Sequence, residues 1–268
     1  MIYDSPITGA KDFTTFQQLR DKTALLAGAL LAKGVTKGDR VIIYMPMVPE
    51  ALFAMLACAR IGAIHTVVFA GFSSDALADR INAASCCCVI TAQHFFRGAK
   101  GVNCYDAVAQ ALAKSSCVKS CLIINHDNFM PTAGSDGKQD SRHNAKLYDY
   151  FKLAKDAAAE CEPEVMSSTD PLFILYTSGS TGKPKGIVHG SAGYLLYVSF
   201  THAHVFDLKD DDIYWCSADI GWITGHSYVV YGPLFNGVTS LIYEGVPNYP
   251  DVTRVAKMID RHKVSIYY

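Results

Sequence analysis

Leu172-Phe173-Ile174-Leu175-Tyr176 runs without a break into Thr177-Ser178-Gly179-Ser180-Thr181-Gly182-Lys183-Pro184-Lys185-Gly186. The apolar run predicts a buried strand, and the glycines after it let the backbone turn sharply and lie close to a ligand. Four hydroxyls, two lysines and several free backbone N–H groups follow in one short loop. A polyphosphate needs that supply of donors and a compact cation. The spacing is not that of a Walker A loop. Only two residues separate Gly179 from Gly182, and Pro184 follows Lys183 where a hydroxyl would hold magnesium. The ordinary alternative is a solvated Gly/Ser/Thr connection. Such loops seldom follow a buried strand and carry lysines on both sides of a proline.

On either side of this stretch, strand and helix patterns alternate. Thr14-x-x-Gln17 offers a capping box for a helix whose Phe16, Leu19, Leu26 and Leu30 recur at helical spacing until Gly34. A strand is predicted over 40–44, and Pro49 starts an all-round apolar helix that stops at Gly62. Further strands are predicted at 64–69, 87–91 and 121–124, with helices at 74–83 and 105–113 between them. Beyond the loop come helix 191–204, strands 212–216 and 238–243, helix 250–261 and a strand from Val264. Alternation without hairpin signals predicts an α/β fold whose parallel sheet is covered on both faces. Residues 1–13 read as a polar, loop-like entry. Residues 125–165 read as a polar excursion with one short helix over about 147–159. The expected division is a first αβ subdomain at 1–165 and a second at 166–268, starting with the strand that leads into the loop. The chain stops inside a predicted apolar strand, so a piece of a longer protein is expected.

Composition narrows the partners. The 268 residues are 50% hydrophobic with a net charge of −1, which leaves no basic stripe for a nucleic acid. No apolar run reaches the ~20 residues of a membrane span and no signal pattern opens the chain, so a cytoplasmic protein is expected. Nine cysteines show no CxxC pair and read as small, reduced core residues. His202 and His204 fall near a helix end, where positions two apart diverge, and no metal site is read there.

The other dense stretch is Ala218-Asp219-Ile220-Gly221-Trp222-Ile223-Thr224-Gly225-His226. It follows a predicted strand, and crevices at the carboxyl ends of parallel strands are the usual ligand sites of open α/β sheets. Trp222 and Ile223 suit the wall of a small apolar pocket, and Thr224 suits a carboxylate. Core packing of Trp222 and a structural His226 fit these residue types equally well.

The eleven loop residues 176–186 resemble the nucleotide-binding signature of the adenylate-forming superfamily. Residues 214–232, Glu244-Gly245-Val246-Pro247-Asn248-Tyr249-Pro250 and Tyr44-Met45-Pro46-Met47-Val48-Pro49-Glu50 resemble the acetyl-CoA synthetases, its short-chain branch. Residues 125–165 are weakly similar, and Ile2-Tyr3-Asp4-Ser5-Pro6 leans toward the propionyl-CoA synthetases.

The resemblance implies the αβ layers of the large N-terminal domain of such an enzyme. It implies an AMP-forming acetate–CoA ligase that uses ATP, Mg2+ and CoA. The alternatives are a propionyl-CoA synthetase or an inactive truncated fragment. It places ATP on Thr177, Ser178, Gly179, Ser180, Thr181, Gly182, Lys183 and Lys185, and acetate against Trp222, Ile223 and Thr224. Lys183, Thr181 and Thr224 take the catalytic roles, and Gly71, Arg97 and Lys100 meet CoA. Lys100 keeps the charge of a position where other members have arginine, without the bidentate fork. Adenine, ribose and magnesium contacts and a C-terminal lid belong to parts of the family's chain outside these 268 residues.

Overall fold

The computed structural model describes residues 1–124, 138–156, 161–177 and 184–268. In chain order these form β1 (Ile2–Asp4), β2 (Lys11–Phe13), α1 (Phe16–Ala32), β3 (Arg40–Tyr44), α2 (Pro49–Arg60), β4 (Ile64–Val67), α3 (Ser74–Ala84) and β5 (Cys88–Ala92). Next come β6 (His94–Arg97), β7 (Lys100–Asn103), α4 (Cys104–Leu112), β8 (Ser120–Ile124), β9 (Lys138–Gln139), β10 (Lys146–Asp149), α5 (Tyr150–Asp156) and β11 (Pro171–Thr177). The remainder is β12 (Lys185–Gly190), α6 (Ser191–Val205), β13 (Ile213–Trp215), α7 (Ile223–Gly225), a π-helical turn (His226–Tyr231), α8 (Gly232–Phe235), β14 (Thr239–Tyr243), α9 (Arg254–His262) and β15 (Ile266–Tyr267).

The larger sheet has the order β12-β11-β4-β3-β5-β8-β10-β9, and the strands from β11 through β10 run parallel. Its period-two pattern divides the core. Val41, Ile43, Cys88, Ile90, Leu122 and Ile124 face a cluster built with α1 and α2. Ile42, Tyr44, Val89, Cys121 and Ile123 face the other cluster, closed by Leu77 and Ile81 of α3 and Val108 and Leu112 of α4. A parallel sheet with helices on both faces buries both sets, which is why these strands read as unbroken apolar runs. All nine cysteines are free thiols, seven of them buried.

The smaller sheet, β15-β13-β14-β1-β2, joins the two ends of the chain. The polar entry expected at 1–13 is in fact two strands, with Ile2 and Tyr3 buried. β1 lies parallel to β14, pairing Ile2 with Leu241, and a three-residue strand with so remote a partner carries no readable period. The capping box also moves by one residue, to Thr15 and Gln18 (3.1 and 2.9 Å), because the Thr14 backbone is bonded to Met1.

Other expectations change for similar reasons. β6 and β7 form an antiparallel hairpin, and β12 turns back antiparallel on β11. The helix expected over 147–159 is a strand to Asp149 and a helix over Tyr150–Asp156, and residues 157–159 lie outside the described residues. The helix expected from 250 starts at Arg254, after a turn in which Asp251 accepts from the Thr253 N–H at 2.8 Å. A division at 165/166 also cuts across the sheets. β11 and β12 belong to the larger sheet with β4, while β1 and β2 belong to the smaller one.

Candidate functional site

The carboxyl ends of parallel strands from both sheets meet in one crevice. A cavity of about 150 Å³ lies there, lined by Met47 and Phe69 beyond β3 and β4, and by Ser217, Asp219, Gly245 and Pro247 beyond β13 and β14. Open α/β sheets place ligands at this edge because the connections leave a gap between diverging strands.

The segment after β13 is pressed against the segment after β4. A Cβ on Gly221 would lie 2.9 Å from the Phe69 backbone nitrogen, and one on Gly225 would collide with the Asp219 carbonyl. This close approach brings the Trp222 ring to 6.2 Å from Phe69 and 6.0 Å from Phe72. Gly71 lies between those two phenylalanines, and a side chain there would strike the Phe69 ring. Trp222 and Ile223 stay 49% and 41% exposed, so they form a wall facing solvent rather than core packing. Thr224 is half-buried beside them.

Arg80 links this wall to the loop strand. Its guanidinium lies 4.9 Å from the Phe72 ring and 5.7 Å from the ring of Tyr176 in β11. At the end of β11, Thr177 is paired in register with Lys185 of β12, and both are exposed. The expected phosphate-binding residues Ser178, Gly179, Ser180, Thr181, Gly182 and Lys183 lie outside the described residues.

Arg97 and Lys100 face each other across the β6–β7 hairpin, both exposed, with Gly98 at a φ of +64° in the turn. A Cβ on Gly98 would be 3.6 Å from the Tyr249 ring, which sets the hairpin beside residues 244–250.

Two buried groups have surroundings that the sequence reading did not supply. Asp219 lies on the cavity, accepts the Gly221 N–H at 2.7 Å, and receives the Trp222 N–H on its carbonyl at 3.1 Å. Burial pushes its carboxyl up to about 6 against the Gly221 bond. Its place in the motif was visible, its burial was not. Beneath the wall, His226 and His65 are fully buried, with ring centroids 5.6 Å apart. His65 shares a 2.6 Å hydrogen bond with the Tyr231 hydroxyl. Burial lowers His226 to about 4 and holds His65 well below the ordinary imidazole range. No spacing in the sequence relates residues 65, 226 and 231.

Among the described residues no group of three or more His, Cys, Asp or Glu is placed to hold a metal ion. No helix among them is long and apolar enough to cross a membrane.

The family described as AMP-binding enzyme matches residues 3–268. An acetyl-coenzyme A synthetase of Parvibaculum lavamentivorans is 52% identical over 254 residues, covering 95% of this chain and 38% of that protein. One of Pseudoalteromonas atlantica is 49% identical over 269 residues, covering 100% of this chain and 40% of that protein. The chain therefore spans about two fifths of the length of these relatives. Among solved structures, an acetoacetyl-CoA synthetase from Streptomyces lividans superposes with a TM-score of 0.87 at 26% identity, over 99% of this chain and 39% of that one.

Proposed function

The chain belongs to the AMP-binding enzyme family, and on that premise we propose that it serves an AMP-forming acetate–CoA ligase. An acetate oxygen attacks the α-phosphorus of ATP, pyrophosphate leaves, and acetyl-AMP forms. The CoA thiolate then attacks the acyl carbon and AMP leaves. The observation that carries this reading is the half-exposed Trp222 ring, set against Phe69 and Phe72 around Gly71 at the strand-end crevice, with the exposed Ile223 next to it in sequence.

In this reading acetate lies against Trp222, Ile223 and Thr224, with the Thr224 hydroxyl available to its carboxylate. Lys183 and Thr181 hold the departing pyrophosphate, with Thr177, Ser178, Gly179, Ser180, Gly182 and Lys185 completing the loop. Bonds to charge that develops in the transition state are where binding lowers a barrier. Gly71 leaves room for the CoA arm beside Phe69, while Arg97 and Lys100 on their exposed hairpin meet its phosphates. Mg2+ with ATP would neutralise phosphate charge, and no cluster of His, Cys, Asp or Glu among the described residues fits the ion. Acetate is favoured over a longer acid because the relatives near 50% identity carry the acetyl-CoA synthetase name.

Carboxylate-dependent exchange of labelled pyrophosphate into ATP tests the reading. Acetate should give the highest kcat/KM; a higher value for propionate would move the assignment to the neighbouring branch, and butyrate or longer would sink both. Lys183→Ala should cost adenylation about 2–4 kcal/mol and leave thiolysis of supplied acetyl-adenylate largely intact.

A further inference from the structure

The wall at residues 222–224 has little side-chain packing of its own. Trp222 is half exposed, and among the described residues its ring contacts are the two phenylalanines after β4. What fixes it from behind is its carbonyl, which accepts two bonds from His226: the backbone N–H at 3.0 Å and Nδ1 at 3.1 Å. A carbonyl only accepts, so Nδ1 carries the proton. The same ring lies 4.6 Å from Phe173, in the middle of β11, and Phe173 stacks on His189 of β12 at 4.4 Å. His226 also stacks on His65 of β4, which itself stacks on Phe173 at 5.5 Å and is held by Tyr231.

We propose that His226 is a positioning residue, whose Nδ1–H anchors the Trp222 carbonyl and whose ring ties that wall to β11, the strand that carries Thr177. The wall and the loop strand are thereby held in one register from beneath by a buried ring, while Arg80 joins them on the Phe72 side. An aliphatic residue would fill the volume and drop the donor. Arginine or lysine would bring a permanent charge into a fully buried site. A neutral imidazole supplies an N–H and an apolar face together, and the burial that disfavours its charged form keeps it so. The substrate-wall role of residues 222–224 rests on the function proposed above, while the anchoring itself does not.

The chain has two tryptophans, Trp215 and Trp222, which gives a readout on the protein itself. In a Trp215→Phe background, acrylamide quenching reports Trp222 alone. His226→Leu should enlarge the population of displaced indole roughly fivefold, the worth of one buried hydrogen bond, and raise quenching accordingly. His226→Asn places an amide N–H where Nδ1 stood and should stay near the parent; His226→Gln places it at Nε2 and should resemble Leu. Unchanged quenching in His226→Leu overturns the proposal. Should the Leu variant fail to fold, the amide pair decides, and equal quenching in Asn and Gln overturns it. No acetate enters this assay, so a protein that activates a different acid leaves the result standing.

Discussion

Asp4 and His226 are both buried polar side chains that tie distant parts of the chain together, yet they do so on opposite terms. Asp4 keeps its charge. Arg254 bonds one carboxylate oxygen, and Arg261 and His262 bond the other at 3.1 and 2.8 Å. Burial pushes this carboxyl up, but the bonds from His262, Arg254 and Arg261 outweigh it and hold it below the usual range. Beside it, Glu244 accepts from the hydroxyls of Tyr3 and Ser5 at 2.6 Å each. The cluster locks β1 to α9 and closes the smaller sheet. His226 gives up its charge instead, and is held by the Trp222 carbonyl and by aromatic stacking. A buried ion needs a full set of partners, whereas a buried imidazole escapes most of that cost by staying neutral.

The largest break in this comparison is Asp4→Ala. It leaves Arg254 buried without its carboxylate and should cost about 3–5 kcal/mol in urea unfolding. A loss below 1 kcal/mol would mean that solvent already reaches the cluster.

Acid should separate the two clusters. An imidazole whose folded pKa is depressed contributes stability that is complete above its unfolded value near 6.5 and is lost as pH falls toward the folded value, about 4 for His226. Asp4, lowered in the fold, contributes stability lost only below the ordinary carboxylate pKa near 3.8. Moving from pH 7 to pH 5 should therefore cost about 2 kcal/mol through His226 and almost nothing through Asp4. His226→Asn should remove that share of the acid sensitivity, and Asp4→Asn should not. Equal pH slopes in parent and His226→Asn would show that this ring is not the acid-labile group.

An exposed pair sets the lower limit. Lys114 and Asp75 form an ion pair with both side chains more than half exposed. Lys114→Ala should change unfolding free energy by less than about 1 kcal/mol and lose even that in high salt. A larger effect would place the side chain's packing, not its charge, in control.

The sequence alone determined the α/β alternation, the covered parallel sheet and the strand-end placement of the two stretches proposed to bind ligands. Periods of 2 and 3.6 residues and the glycine breaks are local signals that a chain displays before it folds. Residues 172–176 announce β11, and residues 40–44 announce β3, because apolar side chains on both faces of each pack against the core. The family was legible for the same reason, since a phosphate loop keeps its ligating groups within eleven consecutive residues. What only the tertiary structure decided are the contacts made across hundreds of residues. Nothing in Ile2-Tyr3-Asp4 names β14 or Arg254 as its partner, and nothing near His65 points to Tyr231 and His226. The sheet membership of β11, the exposure of Trp222 and the burial of Asp219 depend likewise on which surfaces meet. Burial is a property of the folded packing, and a side chain's chemistry in this crevice follows from what the fold brings against it.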